Sequence, residues 1–388
     1  AATALIQQDD PIQFMLDVLD EDPTWWDEML CFAAAHPAGT ALHKKWTPAI
    51  LASAAQYERG AESWTRRLTM AGLMACDMTN RLTHVQRAEV QKSLYQAATD
   101  GDLPAPIRAH LAELLDAVGL PRELENDLYT FVSIVGRDGI PPYAISKYPV
   151  TNAQYARFLK PENFANKDLW TGFPKYAEPE KKYEKIGDWG NEGWDWLQTA
   201  LKDEAFQERN DVDFENGVIL PSYWTDARLG VMRPNAPVVG VSWYEANAYC
   251  KWLLANWDEL EEGKQGLARP SEIRLPLVCE WVFAAGGDEN NRFAFGELLK
   301  PKEEISRFAN TEESNIGFDT PVWMYPQGAS PYKVMDMSGN VFEWQATCDW
   351  RGGSSGLELE FARIAATGGD APNYRGGDLG FRVCAIPC

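Results

Sequence analysis

The chain ends in three short glycine-containing blocks, and their order limits what it can fold into more than any other feature. The blocks are MDMSGNVFEW at 335–344, RGGS at 351–354 and GFRV at 380–383. Glycines there suit tight turns or a close approach of two backbones, and Trp344 suits a core. Glu343 and Arg382 lie among apolar neighbours, where a charged group needs a partner. The blocks therefore predict structural ion pairs in preference to a catalytic dyad.

Four further blocks precede these three in the same part of the chain. They are YPVTN at 148–152, PVVGVSW at 237–243, RLPLVCEWVFAAGG at 274–287 and FG at 295–296. In this order the blocks resemble the formylglycine-generating-enzyme (sulfatase-modifying factor) family, whose domain is a variant of the C-type lectin fold. The resemblance covers about residues 140–385. It implies a C-type lectin-like fold of the formylglycine-generating-enzyme type.

The first third of the chain has a helical pattern instead. Apolar residues recur at three-to-four spacing between about residues 10 and 130, and they predict five to seven short helices in a bundle or short array. Glycines and prolines at 136–142 indicate a junction. We therefore expect an α+β protein, with an all-α domain at 1–135 followed by the lectin-like domain at 136–388. The second domain has a charged, tryptophan-rich insertion at about 161–235 and predicted helices at 243–257 and 278–285.

Charge and cysteine usage limit the classes of binding partner and the cellular compartment that fit this sequence. Lysine and arginine total 36 against 57 acidic residues, a net charge of −21. Because like charges repel phosphate backbones and anionic lipids, we expect no nucleic-acid partner and no membrane partner. The sequence has neither a long apolar run nor a signal-peptide pattern at its start. Its seven cysteines form no CxxC pair, which indicates free thiols and a cytoplasmic protein.

The resemblance includes oxidases, but their reactive residues have no match in this chain. Those oxidases have a Gly-Gly-Ser-x-x-Cys motif and a second cysteine five residues later, and the two thiolates bind copper(I). Here the glycines and serine at 352–354 are followed by Leu357 and Ala362 at the matching positions. Related iron-dependent sulfoxide synthases have a His-x-x-x-His-x-Glu site. The four histidines, which lack that spacing, are His36, His43, His84 and His110. We predict no catalytic residue, and an oxidase with an atypical metal or cysteine site, such as Cys348 with Cys384, is the alternative.

A second branch of the family binds ligands without catalysis. The variable proteins of diversity-generating retroelements keep the Arg-Gly-Gly-Ser and Gly-Phe-Arg frame and vary the residues between them, and the segment 355–378 resembles theirs. The candidate ligand-binding residues are Ser355, Gly356, Leu357, Leu359, Phe361, Ile364, Thr367, Gly368, Gly369, Asp370, Asn373, Tyr374, Gly376, Gly377 and Asp378. Small residues around a few larger anchors are typical of a paratope. We expect recognition of a protein or other ligand, with an irregular glycine-rich loop that binds nothing as the alternative.

Calcium is the one cofactor that the resemblance implies. Family members bind it through loops around the asparagine of the Gly-Asn-x-x-Glu-Trp block and an earlier asparagine. The matching residues here are Asn310, Asn340 and Glu343, whose oxygen atoms suit calcium. The alternative is that these side chains only tie loops together.

In some architectures of this family the lectin-like domain follows a signalling ATPase and helical repeats. The helical first third and the absence of an initiator methionine fit the end of such a larger sensor. We therefore expect this chain to be part of one.

Overall fold

A computed structural model describes the chain apart from residues 1, 22, 36–39, 78–81, 138, 178–183, 205, 207–211, 214–215, 287–290 and 297–301. The chain divides into two compact units, Ala1–Glu125 and Asn126–Cys388. The division falls earlier than residue 135, where the glycines and prolines indicated a junction, because the strand Phe131–Ile134 pairs with the strand Tyr143–Ser146 of the second unit. The α+β class with an all-helical first region is confirmed.

The first unit is built from helices. They are α1 Ala2–Ile6, α2 Pro11–Val18, α3 Pro23–Ala35, α4 Thr40–Ala54, α5 Glu62–Asp77, α6 His84–Ala98, α7 Ala105–Val118 and α8 Arg122–Asp127, which reaches past the division. Thr83 and Gln86 form a capping box that satisfies free N–H groups at the start of α6. The apolar faces of the first five helices meet around Trp46 and Met70, both fully buried. With the short helices α1 and α8 there are eight described helices, whereas the sequence predicts five to seven.

The second unit holds short helices and small sheets. The helices are α9 Asn152–Ala156, α10 Pro161–Ala165, α11 Glu192–Ala200, α12 Trp243–Ala255 and α13 Val278–Ala284. The strands are β1 Phe131–Ile134, β2 Tyr143–Ser146, β3 Pro174–Ala177, β4 Glu184–Asp188, β5 Val212–Asp213, β6 Val218–Ile219, β7 Glu272–Arg274, β8 Phe342–Trp344, β9 Asp349–Arg351, β10 Gly368–Gly369, β11 Leu379–Phe381 and β12 Cys384–Ile386. Helices α12 and α13 begin where the sequence predicts and end within two residues of it.

Two four-stranded sheets organise this unit. One has the order β1-β2-β12-β7 and is antiparallel throughout. The other has the order β10-β9-β8-β11, in which β8 and β11 run parallel. Their register sets Glu343 opposite Gly380 and Trp344 opposite Phe381. The first and third of the terminal sequence blocks are therefore neighbouring strands.

The insertion at 161–235 belongs to the same core. Its buried residues Trp170, Phe173 and Leu197 share one apolar cluster with Trp243 of α12 and Trp344 of β8. Part of its lysine–glutamate run, at 178–183, lies outside the described residues. Within the part of the chain that is described, no helix combines the length and apolar character needed to cross a membrane.

Candidate ligand-binding face

The frame of the site is held by a fully buried ion pair. Glu343 and Arg382 are both 0% exposed, and two nitrogens of the guanidinium each donate to one carboxylate oxygen at 2.6 Å. Trp281 Nε1 donates to the same carboxylate at 2.7 Å, and Arg382 also donates to the carbonyl of Met335 at 2.8 Å. The carboxylate of Glu343 therefore accepts from three charge-assisted or indole donors inside the core. The structural ion pair that the sequence predicts is present.

Two glycines of the frame allow backbones to approach. A β-carbon at Gly380 would lie 2.4 Å from the carbonyl oxygen of Val238. Gly353 has a φ of +78°, and a β-carbon there would lie 2.7 Å from Cα of Ala362. Any larger residue would displace the main chain on both sides, so these glycines fix where the segment 355–378 begins and ends.

The first part of that segment is fixed through its main chain. Ser355 N donates to the carbonyl of Asn340 at 2.9 Å, and the carbonyl of Leu357 accepts from Glu312 N at 2.9 Å. Leu359 N donates to the carboxylate of Glu313 at 3.1 Å. These bonds do not depend on the identity of the side chains in the segment.

The second part is fixed to the start of α12. Arg375 donates from Nε and Nη2 to the carboxylate of Glu245 at 3.0 and 2.9 Å, and this pair is almost fully buried. Glu245 also caps the helix, because Ser242 N donates to it at 2.8 Å. In addition, Gly240 N donates to the carbonyl of Gly376 at 2.9 Å. The segment is therefore anchored at both ends and in its middle, where β10 pairs with β9.

More than half of the predicted ligand-binding residues are exposed. We call them the C-terminal face: Gly356, Phe361, Thr367, Gly369, Asp370, Asn373, Tyr374 and Asp378. Three others are half-buried: Leu357, Gly368 and Gly377. A glycine at 356 has open space around it, and the large ring of Phe361 is 51% exposed. The face thus combines small residues with two exposed aromatic rings.

Four predicted residues belong to the interior and correct the prediction. They are Ser355, Leu359, Ile364 and Gly376. Leu359 packs against Phe293 and Ile305, and Ile364 packs in the cluster that contains Trp281. The side chains of Leu359 and Ile364 are part of the core, and Ser355 and Gly376 are buried as well, so none of the four presents a side chain to a ligand.

The sequence prediction missed exposed residues that adjoin the face. Glu358, Glu360 and Arg363 lie between predicted positions and are exposed. Tyr223 comes from the insertion, is 51% exposed and packs its ring on Gly377. The charge of the first three could have indicated exposed positions. No local signal could have linked Tyr223 to a segment 150 residues later.

The three predicted calcium ligands do not form one site. Asn310 Nδ2 donates to Asn340 Oδ1 at 3.2 Å, and Asn340 Oδ1 also accepts from Thr320 N at 2.8 Å. Asn310 Oδ1 accepts from Ser314 Oγ at 2.8 Å. Glu343 is engaged by Arg382 and Trp281, as described above. Since these oxygens already have protein donors, the residues do not fit calcium, and they tie loops together instead.

The positions of the cysteines bear on the alternative oxidase. Cys384 lies in β12 within the cluster around Trp281, whereas Cys348 lies at the turn between β8 and β9. Burial raises the pKa of Cys348 to about 12 and that of Cys384 well above its usual value. Copper(I) binds thiolates, and burial here favours the protonated thiols. Within the described residues, no group of three histidine, cysteine or acidic side chains could hold a metal.

His43, His84 and His110 belong to three different helices, α4, α6 and α7. His36 falls outside the described residues, and His84 is the first residue of α6. His110 in α7 shares a hydrogen bond of 3.0 Å with Thr69, and burial lowers its pKa.

Known proteins resemble this chain over the second unit. The profile of the sulfatase-modifying factor enzyme 1-like domain matches residues 136–386. The chain belongs to this family. The predicted formylglycine-generating-enzyme type of fold is thereby confirmed.

The relatives in this family have names that describe different activities. The inactive C-alpha-formylglycine-generating enzyme 2 of Bos taurus is 26% identical over 64% of this chain and 81% of its own length. Hercynine oxygenase of Mycolicibacterium smegmatis is 26% identical over 60% of this chain and 42% of its own. The serine/threonine-protein kinase pkn1 of Chlamydia caviae is 30% identical over 58% of this chain, which spans 24% of the kinase. Family membership alone therefore does not decide between catalysis and binding.

Among solved structures, Treponema denticola variable protein 1 aligns with a TM-score of 0.37 and 16% identity, over 66% of this chain and 91% of its own. PvdO from Pseudomonas aeruginosa aligns with a TM-score of 0.39 and 21% identity, over 64% of this chain and 81% of its own.

Proposed function

We propose that this chain is a non-catalytic ligand-binding protein of the diversity-generating retroelement variable type, which recognises ligands through its C-terminal face. One observation carries the proposal: the segment 355–378 is anchored by main-chain bonds and buried side chains, while the eight residues of the C-terminal face within it are exposed. Such an arrangement separates the residues that hold the fold from those that can select a ligand. The resemblance of the flanking Arg-Gly-Gly-Ser and Gly-Phe-Arg frame supports the same assignment.

The gene locus gives the sharpest test of the retroelement part. We expect a second, near-identical copy of the 3′ end that differs from the gene only where the copy has adenines. The differing codons should fall on the C-terminal face and spare 352–354 and 380–382. If no near-repeat exists, or if its differences fall on the frame, this part of the proposal is wrong.

The separation of frame and face can be tested on the protein itself. In one display library the eight residues of the C-terminal face are randomised. In the control library the four interior residues Ser355, Leu359, Ile364 and Gly376 are randomised. We expect most members of the first library to resist protease as the parent does, and most of the second to be cleaved. Equal loss of resistance in both libraries would show that the face is part of the folding core.

An oxidase with an atypical cysteine or metal site is the second candidate, because relatives include enzymes such as the hercynine oxygenase of Mycolicibacterium smegmatis. The test is copper and iron content together with oxygen consumption on a cysteine-containing peptide. We expect neither bound metal nor turnover. Turnover that is lost in Cys348→Ser but kept in Cys31→Ser would establish the oxidase instead.

We also propose that the chain acts in the cytoplasm as part of a larger sensor. Its seven cysteines form no CxxC pair, a usage that fits a reducing compartment. The chlamydial kinase, of which this chain spans 24%, carries the similar region within a much longer protein. Sequencing upstream of the first codon would show whether an ATPase or kinase region precedes it.

A further inference from the structure

Two exposed tyrosines from distant parts of the chain border neighbouring glycines at the end of the C-terminal face. A β-carbon at Gly377 would lie 2.9 Å from Cε2 of Tyr223, and one at Gly376 would lie 3.0 Å from Cε1 of Tyr374. The two rings therefore flank adjacent glycines. They are 51% and 45% exposed, so each presents an open face to solvent.

Two carboxylates lie near the ring of Tyr374. A β-carbon at Gly376 would lie 3.3 Å from Oδ1 of Asp378 as well, so that carboxylate borders the same glycine as Tyr374. The pKa of Tyr374 is raised by partial burial and by the nearby charges of Asp378 and Asp370. Both aspartates are exposed, and the main chain of Asp378 is fixed because Phe342 N donates to its carbonyl at 2.9 Å.

Arg375, the nearest arginine of the segment, does not neutralise the carboxylates of Asp370 and Asp378. Arg375 points inward, where its guanidinium is paired with Glu245 and donates to the carbonyl of Leu220 at 2.6 Å. Arg228, in the turn that follows Tyr223, is paired with Asp226 at 3.6 Å. The surface around the two rings is thus aromatic and negatively charged. We call Tyr223, Tyr374, Asp370 and Asp378 the tyrosine patch.

We infer that the tyrosine patch binds an arginine or lysine side chain on the surface of a protein partner. Aromatic faces attract cations through the ring quadrupole, and adjacent carboxylates add charge complementarity. Guanidinium groups also stack on tyrosine rings while donating to carboxylates, so an arginine fits best. The inference rests on the proposed recognition function and adds the chemical class of its ligand. It also extends the site to the insertion, through Tyr223.

The backbone at Tyr223 supports a role beyond packing. Its φ is +68°, a conformation that glycine, asparagine and aspartate adopt more readily than tyrosine. A residue chosen only for the turn would be one of those three. A half-exposed aromatic ring in its place indicates that the ring is needed at the surface.

The test measures binding of a decapeptide of alternating arginine and glycine to the full chain by calorimetry. The matched peptide has citrulline in place of arginine, which keeps the shape and removes the charge. We expect binding of the arginine peptide that weakens with salt, and at least tenfold weaker binding of the citrulline peptide. Tyr223→Asn should lower the affinity about threefold to thirtyfold. Tyr223→Phe, which keeps the ring, should stay within about twofold.

Thermal unfolding separates a binding role from a structural one. Because asparagine suits a positive φ, Tyr223→Asn should melt at the same or a higher temperature while losing affinity. Unchanged affinity in Tyr223→Asn, or equal binding of the two peptides, would overturn the inference.

Failure of this inference can be told apart from failure of the proposed function. Suppose that the arginine peptide does not bind, but that a protein selected from a displayed library binds this chain and needs Phe361. The inference would then be wrong, while the proposed function would stand. If neither the arginine peptide nor any library member depends on the C-terminal face, the proposed function fails as well.

Discussion

Removing the charge of Glu343 should destabilise the second unit strongly. In Glu343→Gln the side chain keeps its shape, but the guanidinium of Arg382 remains at 0% exposure without its anion. Breaking a buried pair in this way costs about 3–5 kcal/mol, because the remaining charge stays desolvated. Arg382 keeps the carbonyl of Met335 as an acceptor at 2.8 Å, which places the expected loss near the lower end, about 3 kcal/mol.

The assay is urea unfolding of the full chain followed by tryptophan fluorescence. Twelve of the sixteen tryptophans lie after residue 126, so the signal reports mainly on the second unit. The matched control is Glu360→Gln, which breaks an ion pair with Arg292 whose side chains are 50% and 47% exposed. Exposed pairs contribute about 0–1 kcal/mol, so the control should change little. If Glu343→Gln lost no more stability than Glu360→Gln, the frame would not depend on its buried pair.

Three further outcomes follow from the same geometry. Burial raises the pKa of Asp336 to about 7, above its unfolded value of 3.8, so the stability it contributes below pH 4 should be lost as pH rises through 7. Asp336→Asn should remove that decline, which runs between about pH 4 and pH 7, in urea unfolding. Gly353→Ala should lower the melting temperature clearly, whereas Gly356→Ala, with open space around it, should not. Adding calcium or a chelator should leave the melting temperature unchanged in calorimetry, because the amide oxygens of Asn310 and Asn340 already have donors.

The frame could be predicted from the sequence because its residue types have few alternative uses. A glutamate and an arginine among apolar neighbours need each other, and the structure pairs Glu343 with Arg382. The periodic apolar residues of the first unit likewise allow little except helices. In both cases a local pattern carries the information. The pattern does not choose the partner of Glu343, because Arg351 of the second block has the same charge as Arg382.

The inner and outer residues of the segment 355–378 could not be separated in the same way. Strands and helices reveal buried positions through a period of two or 3.6, but this segment is irregular apart from a short turn of helix and the two residues of β10. Whether Leu359 or Phe361 points inward depends on Phe293 and Ile305, which lie more than fifty residues earlier. The calcium ligands could not be judged from the sequence for the same reason. Spacing alone cannot show that Asn340 accepts from Asn310 and Thr320 whereas Glu343 accepts from Arg382 and Trp281.

The way the segment is anchored explains how a surface can change without the fold changing. Its main chain is bonded to Asn340, Glu313 and Gly240, and the acceptors and donors there are backbone groups or residues outside the segment. None of these bonds needs a particular side chain at the exposed positions. Substitution of an exposed residue away from such features shifts stability by about 0.5 kcal/mol or less. The frame and α12 therefore supply the contacts that keep one irregular conformation, and the exposed side chains contribute little to it.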